Sequence, residues 1–254
     1  MTGSVNNTDL VLTSIEDQVM YVTLNRPEKR NALSYELLTQ LHAAVKEANA
    51  NTDLRVFVLN AAGSSFCAGM DLQEVTISPE GGRKLLFELA HTTLAINGLS
   101  IPTIAQVQGP AIGGGCGLLS ICDFVLTHDD VKLGYPEVEL GICPSVVAPW
   151  LVQRIGAGEA RRLLLAGGLV NGETALKIGL VTHIVARGAM DEATNALLKQ
   201  IRAGDQGALA ATKRSIHTLL EVGITEAVLE GAKISADILA GEEAQERLRK
   251  RIHA

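Results

Sequence analysis

Three consecutive glycines, Gly113, Gly114 and Gly115, stand between a strand-like run, Thr103 to Val107, and a helix-like run that reaches Cys122. A strand that turns into a helix over so few side chains leaves bare backbone at the turn. N–H groups there can face a ligand directly, with the positive end of a helix behind them. A tight turn in which glycine only permits close packing accounts for the same residues. Two phosphate cradles are excluded: Gly113-Gly114-Gly115-Cys116-Gly117 lacks the G-x-G-x-x-G spacing, and no Gly-Lys-Ser/Thr follows. About twenty residues on, Glu137 follows Pro136 in an otherwise apolar neighbourhood. A bare N–H site and a nearby carboxylate are the two parts needed to form an enolate and move a proton.

The rest of the chain alternates strand and helix patterns for three quarters of its length. Val11 to Ser14 and Met20 to Asn25 read as strands around a turn. Ser34 is placed to cap a helix reaching Ala50, whose apolar residues Leu37, Leu38, Leu41, Ala44, Val45 and Ala48 fall at helical spacing. Val56-Phe57-Val58-Leu59 has the continuous apolar character of a buried parallel strand. Ser78 to Gly82 reads as a mobile link before a helix at about Arg83 to Asn97. Asp123 to Thr127 and Val181 to Val185 read as later strands. Helices are predicted from Val146, with breaks at Gly156 and Gly167-Gly168, and then from about Met190, Ala208 and Ile224. This order predicts an α/β fold of parallel character, with a core over 1–195 and a helical region over 196–254.

Composition bounds the function. The net charge of −6 and the 3% aromatic content argue against a basic or stacking nucleic-acid surface. No run approaches the roughly 18 apolar residues of a membrane span. The four cysteines, Cys67, Cys116, Cys122 and Cys143, have neither zinc nor CxxC spacing. They read as free thiols in a reducing compartment, and no metal is expected. The polar stretch Met1 to Asp9 lacks a signal-like apolar segment. A cytoplasmic protein is the expectation.

A second loop carries chemistry. Phe66-Cys67-Ala68-Gly69-Met70-Asp71-Leu72 is too small and apolar for a solvated loop. One reading makes Asp71 a helix cap. Alternatively, a backbone N–H here meets one from the glycine loop, and the pair forms an oxyanion hole.

Several pieces together resemble the enoyl-CoA hydratase/isomerase, or crotonase, family. They are Leu24-Asn25-Arg26-Pro27, Arg30-Asn31-Ala32-Leu33, the 66–72 loop, Gly113-Gly114-Gly115-Cys116, Cys122-Asp123, Pro136-Glu137 and Leu176 to Val185, in the family's order over nearly the whole chain. The resemblance implies a crotonase (ClpP-like) spiral of ββα units with a C-terminal helical trimerisation region, and trimers paired into hexamers. It implies a coenzyme A thioester substrate, so that coenzyme A belongs to the substrate and no further cofactor is needed. Carried over by position, Met70 and Gly114 would hold the thioester oxygen. Arg30, Ala68, Gly69, Asp71 and Leu72 would line the coenzyme A site, with Ala68 near the adenine and Arg30 near the phosphates. Glu137 would be the acid/base.

One family feature is missing. Hydratases of the family usually carry a second carboxylate, and Gly117 stands at its place. A single carboxylate suits a Δ3,Δ2-enoyl-CoA isomerase. However, members similar to bacterial methylglutaconyl-CoA hydratases share that glycine and a segment like Glu137 to Pro149. That tips the expectation to reversible hydration of a 2-enoyl-CoA, branched ones included. A decarboxylase, a hydrolase and a non-catalytic acyl-CoA-binding protein stand behind these two. Glu139 and Ser145 are lesser candidates, Ser145 to hold a water. The basic residues Arg247, Arg249, Lys250 and Arg251 are either a solvated helix end or a phosphate clamp given across a subunit interface. None of the six histidines falls in a motif.

Overall fold

The computed structural model describes residues 9–220 and 223–252. The expectations for the N-terminal stretch, apart from Asp9, and for the last two residues of the charged tail lie outside them. In chain order the elements are β1 (Val11–Glu16), β2 (Val19–Leu24), a 3-10 turn (Pro27–Lys29), α1 (Tyr35–Ala50), β3 (Val56–Ala61), α2 (Leu72–Ile77) and α3 (Pro79–Asn97). Then come β4 (Thr103–Val107), β5 (Ala111–Ile112), α4 (Gly114–Ile121), β6 (Phe124–Thr127), β7 (Leu133–Gly134) and a second 3-10 turn (Glu137–Leu140). The chain continues through α5 (Ala148–Ala166), β8 (Leu169–Val170), α6 (Gly172–Lys177), β9 (His183–Ile184), α7 (Met190–Arg202), α8 (Gln206–Leu220), α9 (Ile224–Leu239) and α10 (Glu242–Ile252).

The larger sheet has the order β1-β2-β3-β4-β6-β9. Only its first pair is antiparallel, closed by Asp17 and Gln18, both at positive φ as a two-residue hairpin turn requires. The remaining pairs are parallel. The smaller sheet, β5-β7-β8, stacks further strand pairs beside it. Each turn of chain therefore adds strands and a helix to neighbouring layers.

The local signals explain the elements. Ser34 Oγ accepts the Leu37 N–H at 3.1 Å, and the six apolar residues of α1 are all buried. β3 buries Val56 to Leu59 completely. The 78–82 segment differs from the sequence expectation. It is the first turn of α3, because Ser78 Oγ accepts the Gly81 N–H at 3.0 Å and Pro79 opens the helix. Gly82 then lets α3 approach Leu239 of α9 closely. α5 runs through Gly156, whose non-helical backbone kinks it, and ends at Gly167.

Two apolar clusters hold the layers together. The main one takes in α1, α3, α4 and α5 together with Ile224, Val228, Leu239 and Leu248 of the last two helices. The second lies between the sheet and α7, where Leu197, Leu198 and Ile201 meet Val56, Val58, Ile104 and Leu126. The boundary expected at 195/196 falls within α7.

The Cys122-Asp123 motif ties the sheet together. Asp123 Oδ2 accepts from Thr103 N at 2.7 Å, Thr103 Oγ1 at 2.9 Å and Lys213 Nζ at 2.7 Å. Lys213 is nearly buried and also donates to the Ile101 carbonyl. Removing the carboxylate strands that ammonium. Asp123→Ala is expected to lose about 2–4 kcal/mol in urea denaturation, with Lys213→Met losing less, since the carboxylate it leaves behind is 30% exposed and keeps both Thr103 hydrogen bonds.

Candidate active site

The segment Cys67 to Met70 is threaded between two other stretches of backbone. On one edge Cys67 pairs with Ala111: the Cys67 N–H donates to the Pro110 carbonyl, and the Ile112 N–H to the Cys67 carbonyl. On the other edge Met70 pairs with Leu33. The Leu33 N–H donates to the Gly69 carbonyl at 2.7 Å, and the Asp71 N–H to the Leu33 carbonyl at 2.9 Å. In an extended strand, alternate residues present their polar groups to opposite edges. With Gly69 and Asp71 facing Leu33, the Met70 N–H must point the other way, toward the glycine loop. Gly69 makes the approach possible. Its φ is +92°, and a Cβ there would stand 3.0 Å from the Ile112 carbonyl oxygen and 4.0 Å from the Gly114 nitrogen.

Two polar side chains fix this threading. Asn31 is fully buried at positive φ. Its Nδ2 donates to the Ala62 and Ser65 carbonyls, and its Oδ1 accepts the Arg26 N–H. Asp71 caps α2 by accepting the Gln73 N–H and pairs with Arg26 Nη1 at 2.7 Å. Asp71 thus fills the helix-cap role that the sequence offered for it, and adds an ion pair with Arg26 that the sequence did not reveal.

Gly114 is the first residue of α4, and its N–H has no partner four residues back. Among the described residues neither it nor the Met70 N–H has a protein acceptor. Both residues line a cavity of about 20 Å³, room for about one water. The other walls are Glu137, Leu86 and Leu89 of α3, the 143–147 stretch without Ser145, and Ser235 of α9.

Glu137 opens the second 3-10 turn and is 8% exposed. Its Oε2 is buried without a hydrogen-bond partner. Burial pushes its carboxyl up to about 7, against a small opposing pull from its own N–H. Gly113 makes room for it: φ is +54°, and a Cβ there would lie 2.6 Å from Glu137 Oε1. The arrangement can therefore polarise an oxygen with two N–H groups and exchange a proton beside it.

A wider cleft of about 340 Å³ adjoins the cavity through Met70. Arg30, Ala68, Asp71 and Leu72 line it with Lys29 and Arg251. The structure thus brings Arg30, Ala68, Met70, Asp71 and Leu72 to one cleft and Gly114 to the cavity, while Gly69 lines neither space. Arg251 enters this cleft from α10 of the same chain.

Two lesser candidates stand elsewhere. Glu139 is exposed and leans over Gly167, because residues two apart in a 3-10 turn point in different directions. Ser145 is off the cavity wall. Its Oγ lies 2.7 Å from Cys143 Sγ, and the residue faces an outer groove between α5 and α9. Sequence reasoning missed Cys143, Val147 and Ser235. Val147 fills the space over Gly117: a Cβ at that glycine would overlap Val147 Cγ1 and lie 2.8 Å from Val147 Cβ. No spacing signal links 117 with 147, or 137 with 235.

Among the described residues no cluster of His, Cys, Asp or Glu could hold a metal, and no helix is long and apolar enough to cross a membrane.

Comparison with known proteins gives the family and the fold. The family described as enoyl-CoA hydratase/isomerase matches residues 14–250. The enoyl-CoA isomerase/hydratase fer4 of Mycosarcoma maydis is 34% identical over 209 residues, 78% of this chain and 76% of its own. Enoyl-CoA hydratase domain-containing protein 3, mitochondrial, of Danio rerio is 27% identical over 98% of this chain and 87% of its own. The crystal structure of enoyl-CoA hydratase from Bacillus halodurans superposes with a TM-score of 0.89 at 27% identity, covering 95% of this chain and all of the other. The expected spiral of crotonase type is therefore the fold of this chain.

The buried carboxyl has a measurable signature. An unfolded chain ionises Glu137 near the ordinary 4.5, whereas the folded one holds its proton to about 7. Stability therefore falls as pH rises through that window and is level above it. The full penalty is about 3 kcal/mol, from 1.36 kcal/mol per pH unit. Glu137→Gln should be more stable than the parent by about 2–3 kcal/mol at pH 8, and nearly equal at pH 4, by urea denaturation. The same difference at both pH values would mean that the carboxyl is not buried in this way.

Proposed function

The chain belongs to the enoyl-CoA hydratase/isomerase family, and from that premise we propose that it adds water reversibly across the double bond of a 2-enoyl-CoA. The observation that carries the reading is a water-sized cavity walled by a buried carboxyl whose Oε2 has no partner. The thioester oxygen would lie against the Met70 and Gly114 N–H groups. Negative charge appears there when water attacks the β-carbon, and two fixed donors stabilise it. Glu137 takes the water proton and delivers one to the α-carbon. A carboxyl poised near neutrality can do both. Coenzyme A would occupy the cleft, its phosphates near Arg30 and Arg251 and its adenine near Ala68. Coenzyme A is then part of the substrate, and the proposal needs no other cofactor and no metal.

The cavity supports a short acyl group. The Glu137 to Pro149 segment, similar to that of methylglutaconyl-CoA hydratases, supports a branched one. Assembly through the C-terminal helices into trimers, and of trimers into hexamers, is part of the same proposal.

A second reading has its own observation. Val147 covers the place where a second carboxylate would stand. With one acid/base between apolar walls, Glu137 could carry a proton from one carbon of a 3-enoyl-CoA to another. That is the Δ3,Δ2-isomerase reaction.

Crotonyl-CoA and a 3-enoyl-CoA assayed in D2O separate the two. Hydration yields a 3-hydroxyacyl-CoA with deuterium at the α-carbon, whereas isomerisation shifts the double bond without water uptake. Tight butyryl-CoA binding with neither product would point to a non-catalytic acyl-CoA-binding protein. Glu137→Ala is expected to lower kcat about 10²–10⁴-fold. Gly114→Pro deletes one N–H at a helix position that accepts proline and should lower kcat about 10²–10³-fold, with folding checked by circular dichroism. An undiminished rate in either variant would remove that group from its role. For the wall, Gly117→Ala should lose about 1–3 kcal/mol from overpacking, and the loss should shrink when Val147→Gly is added. Additive effects in that double-mutant cycle would separate the two positions.

A further inference from the structure

Cys143 is the described cysteine that reaches the cavity. Cys67, Cys116 and Cys122 are buried, and burial pushes each thiol up to about 12. Cys143 is half-buried and shares the cavity with Glu137, Met70 and Gly114. Ser235 Oγ donates to its carbonyl at 2.8 Å and fixes its backbone. Its Sγ lies 2.7 Å from Ser145 Oγ, on the residue that opens to the outer groove. The cavity holds about 20 Å³, so an atom seated in it lies close to Cys143 as well as to Glu137. The 8% exposed Glu137, with its unpartnered Oε2, independently marks this space as built for an occupant.

We propose that Cys143 is a covalent capture site for α,β-unsaturated thioesters, a chemistry separate from hydration that rests on the acyl-CoA reading above. The double bond of such a substrate is conjugated to a carbonyl, and the two N–H donors draw electron density from it. The Cys143 sulfur forms a bond to the β-carbon as the π bond breaks. The electron pair moves through the α-carbon onto the thioester oxygen, at Met70 and Gly114. The thiol proton passes to Ser145 Oγ, which releases its own to solvent. Glu137, in its acid form, protonates the α-carbon and regains a proton from solvent. The product is a thioether that keeps the whole acyl-CoA, with nothing oxidised or reduced overall. Reversal begins when Glu137 removes the α-proton. Thiol and water then compete for the same carbon, so that unsaturated substrate can hold the enzyme in a reversible resting form.

The test uses the intact protein with crotonyl-CoA, and butyryl-CoA as the saturated control. Acid quenching and intact-mass spectrometry should reveal one adduct with the mass of the whole crotonyl-CoA, and none with butyryl-CoA. Peptide mapping should place it on Cys143. Cys143→Ser and Cys143→Ala should abolish it, and Glu137→Gln should slow it at least tenfold. Mapping the parent localises the adduct even if a variant fails to fold. Calorimetry with butyryl-CoA on the same preparation reports binding without reaction. Binding with no adduct overturns the capture site and leaves the acyl-CoA reading standing. An adduct on another cysteine, or a crotonyl group transferred with release of coenzyme A, also overturns it. No binding overturns both.

Discussion

The site depends on a strand segment that is hydrogen-bonded on both edges and then stops. Cys67 is held to the glycine loop and Gly69 to Leu33. That pairing fixes Met70 to within the precision of a sheet, although the segment belongs to neither sheet. Its free N–H is a consequence of the register. A shift by one residue would turn that donor into the neighbouring strand. Asn31 and the Arg26–Asp71 pair guard that register with bonds that are largely sheltered from water, where they are worth most.

The electrostatic character of the site follows from what surrounds it. A carboxyl at a helical turn normally gains from the local dipole, and Glu137 begins such a turn. Burial wins over that gain, because the walls offered by Leu86, Leu89, Val146 and Val147 return no hydrogen bond to Oε2. The result is an acid that is neither fully charged nor fully neutral near pH 7. The charged contacts stand outside, where Arg30 and Arg251 line the adjoining cleft. The site is thereby divided into an apolar end around Glu137 and a polar end around Arg30 and Arg251 that meet at Met70.

Much of this was legible in the sequence, for physical reasons that differ by residue. The α1 face and β3 follow from periodicity alone, since burial in these layers is decided by helical spacing and by a continuous apolar run. Gly113 was legible as a turn, while its reason, the nearness of the Glu137 carboxyl, was not, because the contact joins residues 24 apart. The motif at 66–72 pointed to the cavity and offered Asp71 as a helix cap, which it is, whereas its pair with Arg26, 45 residues away, left no local signal. Ser78 to Gly82 was misread because two adjacent glycines outweighed a cap and a proline that together start a helix. Ser235 and Cys143 carry no local signal. Ser235 reaches the cavity because α9 packs across α3, a tertiary choice that no window of sequence contains, and Cys143 reaches it from the loop between the second 3-10 turn and α5.

The contact of Val147 with Gly117 also bears on how such a site can change over generations. The two positions are sterically interlocked, so a side chain acquired at 117 while the valine stands is overpacked. If the valine shrinks first, that step opens a void with nothing yet to fill it. Both orders pass through a less fit intermediate, which is sign epistasis. Single-residue libraries would record position 117 as intolerant. Only paired libraries would explore the neighbouring chemistry of the scaffold from this starting point.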